Sequence, residues 1–212
     1  MLTIIQARSN SKRFRNKVLY EINGKPLIWH VISRVKKAKK ISKIIVSTST
    51  SKNDDRLIQY LKKVKISYFR GDLNNVSKRL LDTASYYKKK YFIRISGDSP
   101  LIDPKIIDKV ISLYKKKKFN NYDLITNVFP RTFPKGQSVE IIKTLTLRNY
   151  LGKMSKDESE HVTKYFYRNS SKLKIKNLKS NKYQRQIKLS VDTKKDMVRI
   201  KKILELKQNH EY

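Results

Sequence analysis

The chain has 212 residues, enough for one large domain with a full hydrophobic core. It contains no cysteine, which excludes disulfides, thiolate zinc sites and a cysteine nucleophile. Its 51 basic residues outnumber 17 acidic ones for a net charge of +34, but 38 of the 51 are Lys, many of them in short runs at predicted helix ends. There they solvate a surface and complement the helix dipole, so nucleic acid is not the expected partner. No apolar stretch approaches the roughly 18 residues needed to span a bilayer. The N-terminus opens straight into a strand, without a basic leader, and the expectation is a soluble cytoplasmic protein with no membrane partner. His30, His161 and His210 lie far apart and show no metal-ligand spacing.

Leu2 to Ala7 reads as an apolar strand, followed at once by the basic, polar loop Arg8-Ser9-Asn10-Ser11-Lys12-Arg13-Phe14-Arg15-Asn16-Lys17. Backbone N–H groups in such a loop, flanked by Arg8, Arg13 and Lys17, suit a polyphosphate, although no GxxxxGK[ST] pattern is present. The plainer reading is a solvated basic loop. Asn23-Gly24 predicts a turn, and Pro26 opens a helix whose apolar stripe is Leu27, Ile28, Val31, Ile32 and Val35. His30, beside that stripe, reads as a packed helix residue. Lys43 to Ser49 is a second strand, and the hydroxyl run Ser47 to Ser51 either touches a base or ribose or caps the next helix, which opens at Asn53 or Asp54 and runs to about Lys63.

Ile66 to Arg70 is a third short strand, Val76 to Lys88 a helix bearing Arg79, and Tyr91 to Ile95 a buried strand. Pro104 to Lys118 is a periodic helix with Asp103 as N-cap, and Asp123 to Asn127 a further strand. This β-α alternation marks a doubly wound, parallel sheet. Beyond Val128 the pattern changes: the turn-rich Pro130 to Gln137, a strand Ser138 to Ile142, helices over Thr144 to Gly152 and Asp157 to Arg168 (Ser155 as cap), strands Leu173 to Leu178 and Gln186 to Val191, and a terminal helix from Lys194 to about Gln208. Residues 130 to 185 read as a small α+β insertion that builds one wall of a site within a single domain spanning residues 1 to 212.

The stretch Arg94-Ile95-Ser96-Gly97-Asp98-Ser99-Pro100 anchors the functional reading. Gly97 turns the chain sharply at a strand end and leaves Asp98 at the carboxyl edge of the sheet, where open α/β sheets bind ligands. Asp192 likewise ends a β-rich run and precedes a helix. Brought side by side by adjacent parallel strands, these two acids suit a Mg²⁺ ion held against nucleotide phosphates; as simpler elements they are two helix N-caps.

Taken in order, Gln6-Ala7-Arg8 through Ser11, Arg13, Lys17-Val18-Leu19, Asn23-Gly24-Lys25-Pro26-Leu27, Phe69-Arg70-Gly71, Arg94 to Ile102, Arg131-Thr132-Phe133-Pro134, Val139-Glu140, Glu160-His161-Val162-Thr163 and Val191-Asp192-Thr193 form a specific set covering nearly the whole chain. The set resembles the cytidylyltransferases of the acylneuraminate and 3-deoxy-manno-octulosonate (CMP-sugar synthetase) family, most closely the branch called spore coat polysaccharide biosynthesis protein F.

The resemblance implies a Rossmann-like nucleotide-diphospho-sugar transferase fold, with a mostly parallel sheet and helices on both faces. It implies CTP as substrate, Mg²⁺ as cofactor, and transfer of CMP to an acidic 2-keto sugar for surface polysaccharide, with pyrophosphate released. By similarity, Ala7, Arg8, Ser9, Asn10, Ser11, Arg13, Lys17, Arg79 and Gly97 bind the nucleotide, and Asp98 and Asp192 bind the metal. Arg8, Lys17, Asp98 and Asp192 then carry catalysis, while Arg131, Glu140, Glu160 and His161 shape the sugar side. His161 serves equally well as a structural hydrogen-bonder. Homodimers are common in the family.

Three positions depart from the family pattern: Asn10 replaces a Gly, Arg15-Asn16 a Pro-Gly, and Ser138 an Asp two residues before Glu140. The alternatives are cytidylyl transfer to a sugar or polyol phosphate, with Arg131 and Lys135 binding that phosphate, and a non-catalytic nucleotide-binding protein.

Overall fold

The computed structural model describes residues 1–11, 13–116 and 121–208. The end of the predicted Pro104 helix at Lys118, as well as Lys12 and His210, lies outside them. In chain order the elements are β1 (Leu2–Gln6), β2 (Glu21–Ile22), β3 (Lys25–Pro26), α1 (Leu27–Lys36), β4 (Lys43–Ser49), α2 (Asp55–Lys63), β5 (Tyr68–Gly71), α3 (Val76–Tyr86), β6 (Tyr91–Ser96) and α4 (Pro104–Lys115). They continue as β7 (Leu124–Thr126), β8 (Glu140–Lys143), α5 (Thr144–Tyr150), α6 (Lys156–Glu160), α7 (Lys164–Arg168), β9 (Ile175–Asn177) and α8 (Lys194–Gln208). β2 and β3 form a two-residue ribbon whose turn residues, Asn23 and Gly24, both have positive φ (50° and 69°).

The seven-stranded sheet has the order β5-β4-β1-β6-β8-β7-β9. β5, β4, β1 and β6 run parallel, as the βα alternation predicts. The parallel series does not simply continue beyond β6: β8 lies between β6 and β7 and is antiparallel to both. Residues 130–185 therefore contribute two strands to the main sheet, β8 and β9.

Successive strand residues divide between two cores, as the period-two geometry of a strand requires. Ile5, Val46, Ile93, Ile95, Ile125 and Ile141 meet the apolar stripes of α1, α2 and α4 on one face. Leu2, Ile4, Ile45, Phe92, Leu124 and Ile142 meet Val76, Leu80 and Ala84 of α3, Leu147 of α5 and Phe166 of α7 on the other. A third cluster joins the chain's two ends: Met197 and Ile200 of α8, with Val191, pack on Phe14, Ile22, Leu27 and Leu101.

Two predicted elements are corrected. Asp157 to Arg168 is not one helix, because the backbone turns out of helical geometry at His161 (φ −106°, ψ 61°). Val162 and Phe166 then drop fully into the core. Gln186 to Val191 is not a sheet strand. It makes a single bridge, Lys188 to Lys135, and Leu189 and Val191 turn inward against α8.

Candidate active site

The carboxyl ends of β1 and β6 approach so closely that the Gly97 N–H donates to the Gln6 carbonyl at 2.8 Å. A Cβ on Gly97 would fall 2.8 Å from Ala7 Cβ and 2.9 Å from the Gln6 oxygen. Only glycine fits there without parting the strands. Gly97→Ala is expected to destabilise the protein by about 1–3 kcal/mol, the usual cost of overpacking, and to move Asp98 with the strand end. A urea titration checks the first effect and a turnover assay the second.

Asp98 and Asp192 meet across a cavity of about 360 Å³ that opens above these strand ends. The way they meet corrects the sequence expectation: Asp192 arrives on a loop, not on an adjacent strand. The Val191 N–H donates to the Asp98 carbonyl at 2.9 Å, and this bond fixes the two acids side by side. Neither carboxylate caps a helix. Asp103 caps α4 by accepting the Lys105 N–H at 2.8 Å. At α8 the capping carboxylate is Asp196, which accepts the Asp192 and Thr193 N–H groups at 3.0 Å each.

The side chains of Asp98 and Asp192 are instead turned toward cations. Lys17 Nζ lies 3.5 Å from Asp98 Oδ2 and 3.9 Å from Asp192 Oδ1, and donates to the Val191 carbonyl at 2.7 Å. Arg13 Nη2 stands 3.7 Å from Asp192 Oδ1, and Lys188 Nζ 2.9 Å from Asp192 Oδ2. Two carboxylates that converge on one ammonium group offer the hard oxygen donors a divalent cation takes. Among the described residues no group of three or more His, Cys, Asp or Glu could hold a metal. Two carboxylates would leave a metal's other positions to water or to further oxygen donors.

The basic loop is built around Ser9, whose carbonyl accepts the N–H groups of Ser11 (3.0 Å) and Asn16 (2.8 Å). The left-handed residue falls at Asn16 (φ 56°), while Asn10 is not among the positive-φ residues. Asn16 thus takes the conformation for which glycine is the usual choice. Ala7, Arg8, Ser11, Arg13, Lys17, Gly97, Asp98 and Asp192 line the main cavity, as do Arg131, Glu140, Glu160 and His161. Ser9 and Asn10 line a second recess with Arg15, Asn16 and Asn53. Arg79 lines neither; it is fully buried and donates to the Asp72 carbonyl at 2.7 Å. The hydroxyl run resolves toward capping: Ser49 donates to Asp54, and Ser51 accepts the Asn53 N–H at 3.3 Å. His30 is buried, with Nε2 2.9 Å from the Ile22 carbonyl.

The wall opposite the basic loop is organised by Glu140, which is paired in register with Arg94. One Glu140 oxygen takes Arg94 Nη1 and the other the Tyr167 hydroxyl, while Arg94 Nε donates to Gln6 Oε1 at 2.8 Å. Burial, reinforced by the Glu140 charge, pushes the Tyr167 hydroxyl pKa far up and keeps it a donor. Among the described residues Arg131 has neutral hydrogen-bond partners: the Pro134 carbonyl at 3.3 Å and Ser138 Oγ at 3.1 Å. A carboxylate at 138 would neutralise it; serine does not. Burial pulls the Arg131 pKa down, against the fields of Glu140 and Tyr167. Sequence reasoning left Gln6, Arg94 and Ser96 out of the site, although all three line its cavity and the period-two spacing of Arg94 and Ser96 puts them on one face of β6.

Glu160 ends α6 and His161 follows it; the helix starts with a capping box between Ser155 and Glu158. Glu160 reaches across to Arg8 Nη2 at 2.5 Å, while His161 is mostly exposed. The buried Glu158 also takes Arg168 Nε at 2.7 Å. Burial alone would raise the Glu158 pKa, but the Ser155 amide and Arg168 hold it below the usual carboxylate value. A depressed folded-state pKa adds stability above the unfolded value of about 4.3 and loses it as pH falls through that range. Glu158→Gln is therefore expected to flatten the acid limb of a stability–pH profile and leave its neutral limb parallel to wild type.

A mostly parallel sheet with two carboxylates and a basic loop at its carboxyl edge suits nucleotidyl transfer. The chain belongs to the cytidylyltransferase family, whose sequence model matches residues 2–212. It is 28% identical to the spore coat polysaccharide biosynthesis protein SpsF of Bacillus subtilis, over 95% of this chain and 85% of that protein. The structure of a cytidylyltransferase from Leptospira borgpetersenii superposes with a TM-score of 0.87 at 30% identity, covering 94% of this chain and 84% of that one. The fold is also that of CMP:2-keto-3-deoxy-manno-octonic acid synthetase, solved with CTP, at a TM-score of 0.75 and 16% identity over 97% and 99% of the two chains. No helix among the described residues is long and apolar enough to cross a membrane.

Proposed function

We propose that the protein transfers the cytidylyl group of CTP to an acidic 2-keto sugar, releasing pyrophosphate, in surface polysaccharide synthesis. The observation that carries this reading is the convergence of Asp98 and Asp192 on Lys17 Nζ, at 3.5 and 3.9 Å, beside the basic loop. Arg8, Ser11, Arg13 and Lys17 would hold the triphosphate, and Asp98 with Asp192 a Mg²⁺ ion. That ion would neutralise charge on the transferring phosphoryl group and orient it for in-line attack. The acceptor hydroxyl, losing its proton, bonds to the α-phosphorus as the bond to pyrophosphate breaks, so no covalent enzyme intermediate forms.

The acceptor side supports an anionic sugar. Lys135 and Gly136 lace onto the segment before Asp192, with the Leu189 N–H donating to the Lys135 carbonyl at 2.7 Å. The cations Arg131 and Lys135 line the same cavity as the carboxylate pair. An acceptor whose reacting hydroxyl and carboxylate share one carbon fits that arrangement. The same two cations favour, as a second reading, transfer to a sugar or polyol phosphate. In this reading residues 130–185 form the sugar side of a single domain.

The test is pyrophosphate release with Mg²⁺ and each nucleoside triphosphate, across a panel of 2-keto acid sugars and polyol phosphates. Release that requires CTP and a 2-keto acid supports the first reading. Release with a phosphate acceptor selects the second, and protein that binds no CTP overturns both.

A further inference from the structure

Two side chains of opposite charge, Asp54 and Arg79, are fully buried and line neither recess. Each grips the backbone of a segment that does supply cavity residues. One Asp54 oxygen accepts the Ser9 N–H at 2.6 Å; the other accepts the Ser49 N–H at 3.0 Å and the Ser49 hydroxyl. Ser9 in turn holds both ends of the basic loop through its carbonyl. Arg79, from the second turn of α3, holds the Asp72 carbonyl, and its Cγ sits 2.9 Å from where a Cβ on Gly71 would be. The two segments meet where Arg8 Nη1 donates to the Leu73 carbonyl at 3.2 Å.

Buried charges are costly unless hydrogen-bonded or opposed, and a fold built for stability alone does better with apolar side chains in such places. Arg79 makes the point sharply: its Nε and Nη2 are buried without a hydrogen-bond partner among the described residues. Burial and the nearby Arg8 pull its pKa down to about 10, and the field of Asp54 opposes that fall.

We propose that Asp54 and Arg79 are positioning residues of the nucleotide half of the site. Each tethers one of the two segments, 8–17 and 71–76, and together they set the spacing at which Arg8 and Lys17 meet the triphosphate. Arg79 then acts on the nucleotide through the Asp72 backbone and not by contact. This rests on the nucleotide reading above.

The experiment compares wild type, Asp54→Asn, Arg79→Met and the double variant by amide hydrogen exchange, with CTP affinity and acceptor KM measured alongside. Asp54→Asn is expected to speed exchange in the 8–17 segment about tenfold or more by local opening. Arg79→Met is expected to do the same over 72–75. CTP affinity should fall about 10- to 100-fold, as for other residues that orient a binding group, while acceptor KM stays unchanged. The double variant should lose less affinity than the product of the single losses, because each single variant leaves one buried charge unopposed. Should Asp54→Asn not fold, Ser49→Ala removes only the hydroxyl donor to Asp54 and is expected to speed exchange in the same segment. Segment exchange equal to wild type in the folded variants overturns the proposal. Exchange needs no ligand, so wild type that binds no CTP sinks the nucleotide reading on separate grounds.

Discussion

Asp98→Asn is expected to lower pyrophosphate release by about 10³-fold, equivalent to roughly 4 kcal/mol of transition-state stabilisation. Asparagine keeps the shape and the hydrogen bond from Ser99 Oγ, at 3.1 Å to Asp98 Oδ1, but removes the charge facing Lys17. The fold should be unaffected, since Asp98 caps no helix and the Val191 N–H binds its backbone carbonyl. Metal-free CTP binding should stay close to wild type, because the triphosphate contacts assigned to Arg8, Arg13 and Lys17 remain. Isothermal titration with Mn²⁺ should show weaker metal binding. A variant that retains a tenth or more of wild-type turnover would remove Asp98 from the catalytic centre.

Glu140→Ala is expected to be the most destabilising single substitution in the site. Glu140 is 2% exposed and joins Arg94 to Tyr167. Truncating it leaves a guanidinium in a largely buried wall without its carboxylate, which typically costs about 3–5 kcal/mol. In a domain of this size that corresponds to a fall in Tm of roughly 10 °C. Acceptor KM should rise, since Arg94 loses the partner that orients it, while CTP binding at the opposite wall holds. The double variant Arg94→Met/Glu140→Met should recover much of the stability and none of the acceptor binding. Equal stability losses in Glu140→Ala and in the double variant would show that the ion pair is not what holds this wall together.

These effects were unequally legible in the sequence. The β-branched runs at Leu2, Lys43 and Tyr91 announced the parallel half, and Asp103-Pro104 announced the start of α4, because strand pattern and helix capping are local signals. The position of β8 was not legible. Glu140 to Lys143 has the pattern of any short strand, and its place beside β6 depends on pairings 46 or more residues away, such as Arg94 with Glu140. The delivery of Asp192 was misread for a related reason. Ile187-Lys188-Leu189-Ser190-Val191 alternates like a strand, yet the alternation serves the α8 cluster and the bridge to Lys135. Asp54 passed as a helix-opening residue, since its bond to Ser9 spans 45 positions. The resemblance marked most of the cavity-lining acids and bases, but not which of them neutralise one another.

The third hydrophobic cluster has a consequence for the order of synthesis. Phe14 lies within the basic loop near the start of the chain, and it packs with Val191, Met197 and Ile200 near the end. During synthesis the second carboxylate of the pair emerges some 175 residues after Lys17 of the basic loop. The parallel strands β1, β4, β5 and β6 can pair on the ribosome long before that. Asp192 cannot face Asp98 until Val191 has docked, so a nascent chain still short of residue 192 lacks the two-carboxylate site and leaves the basic loop without its apolar anchor.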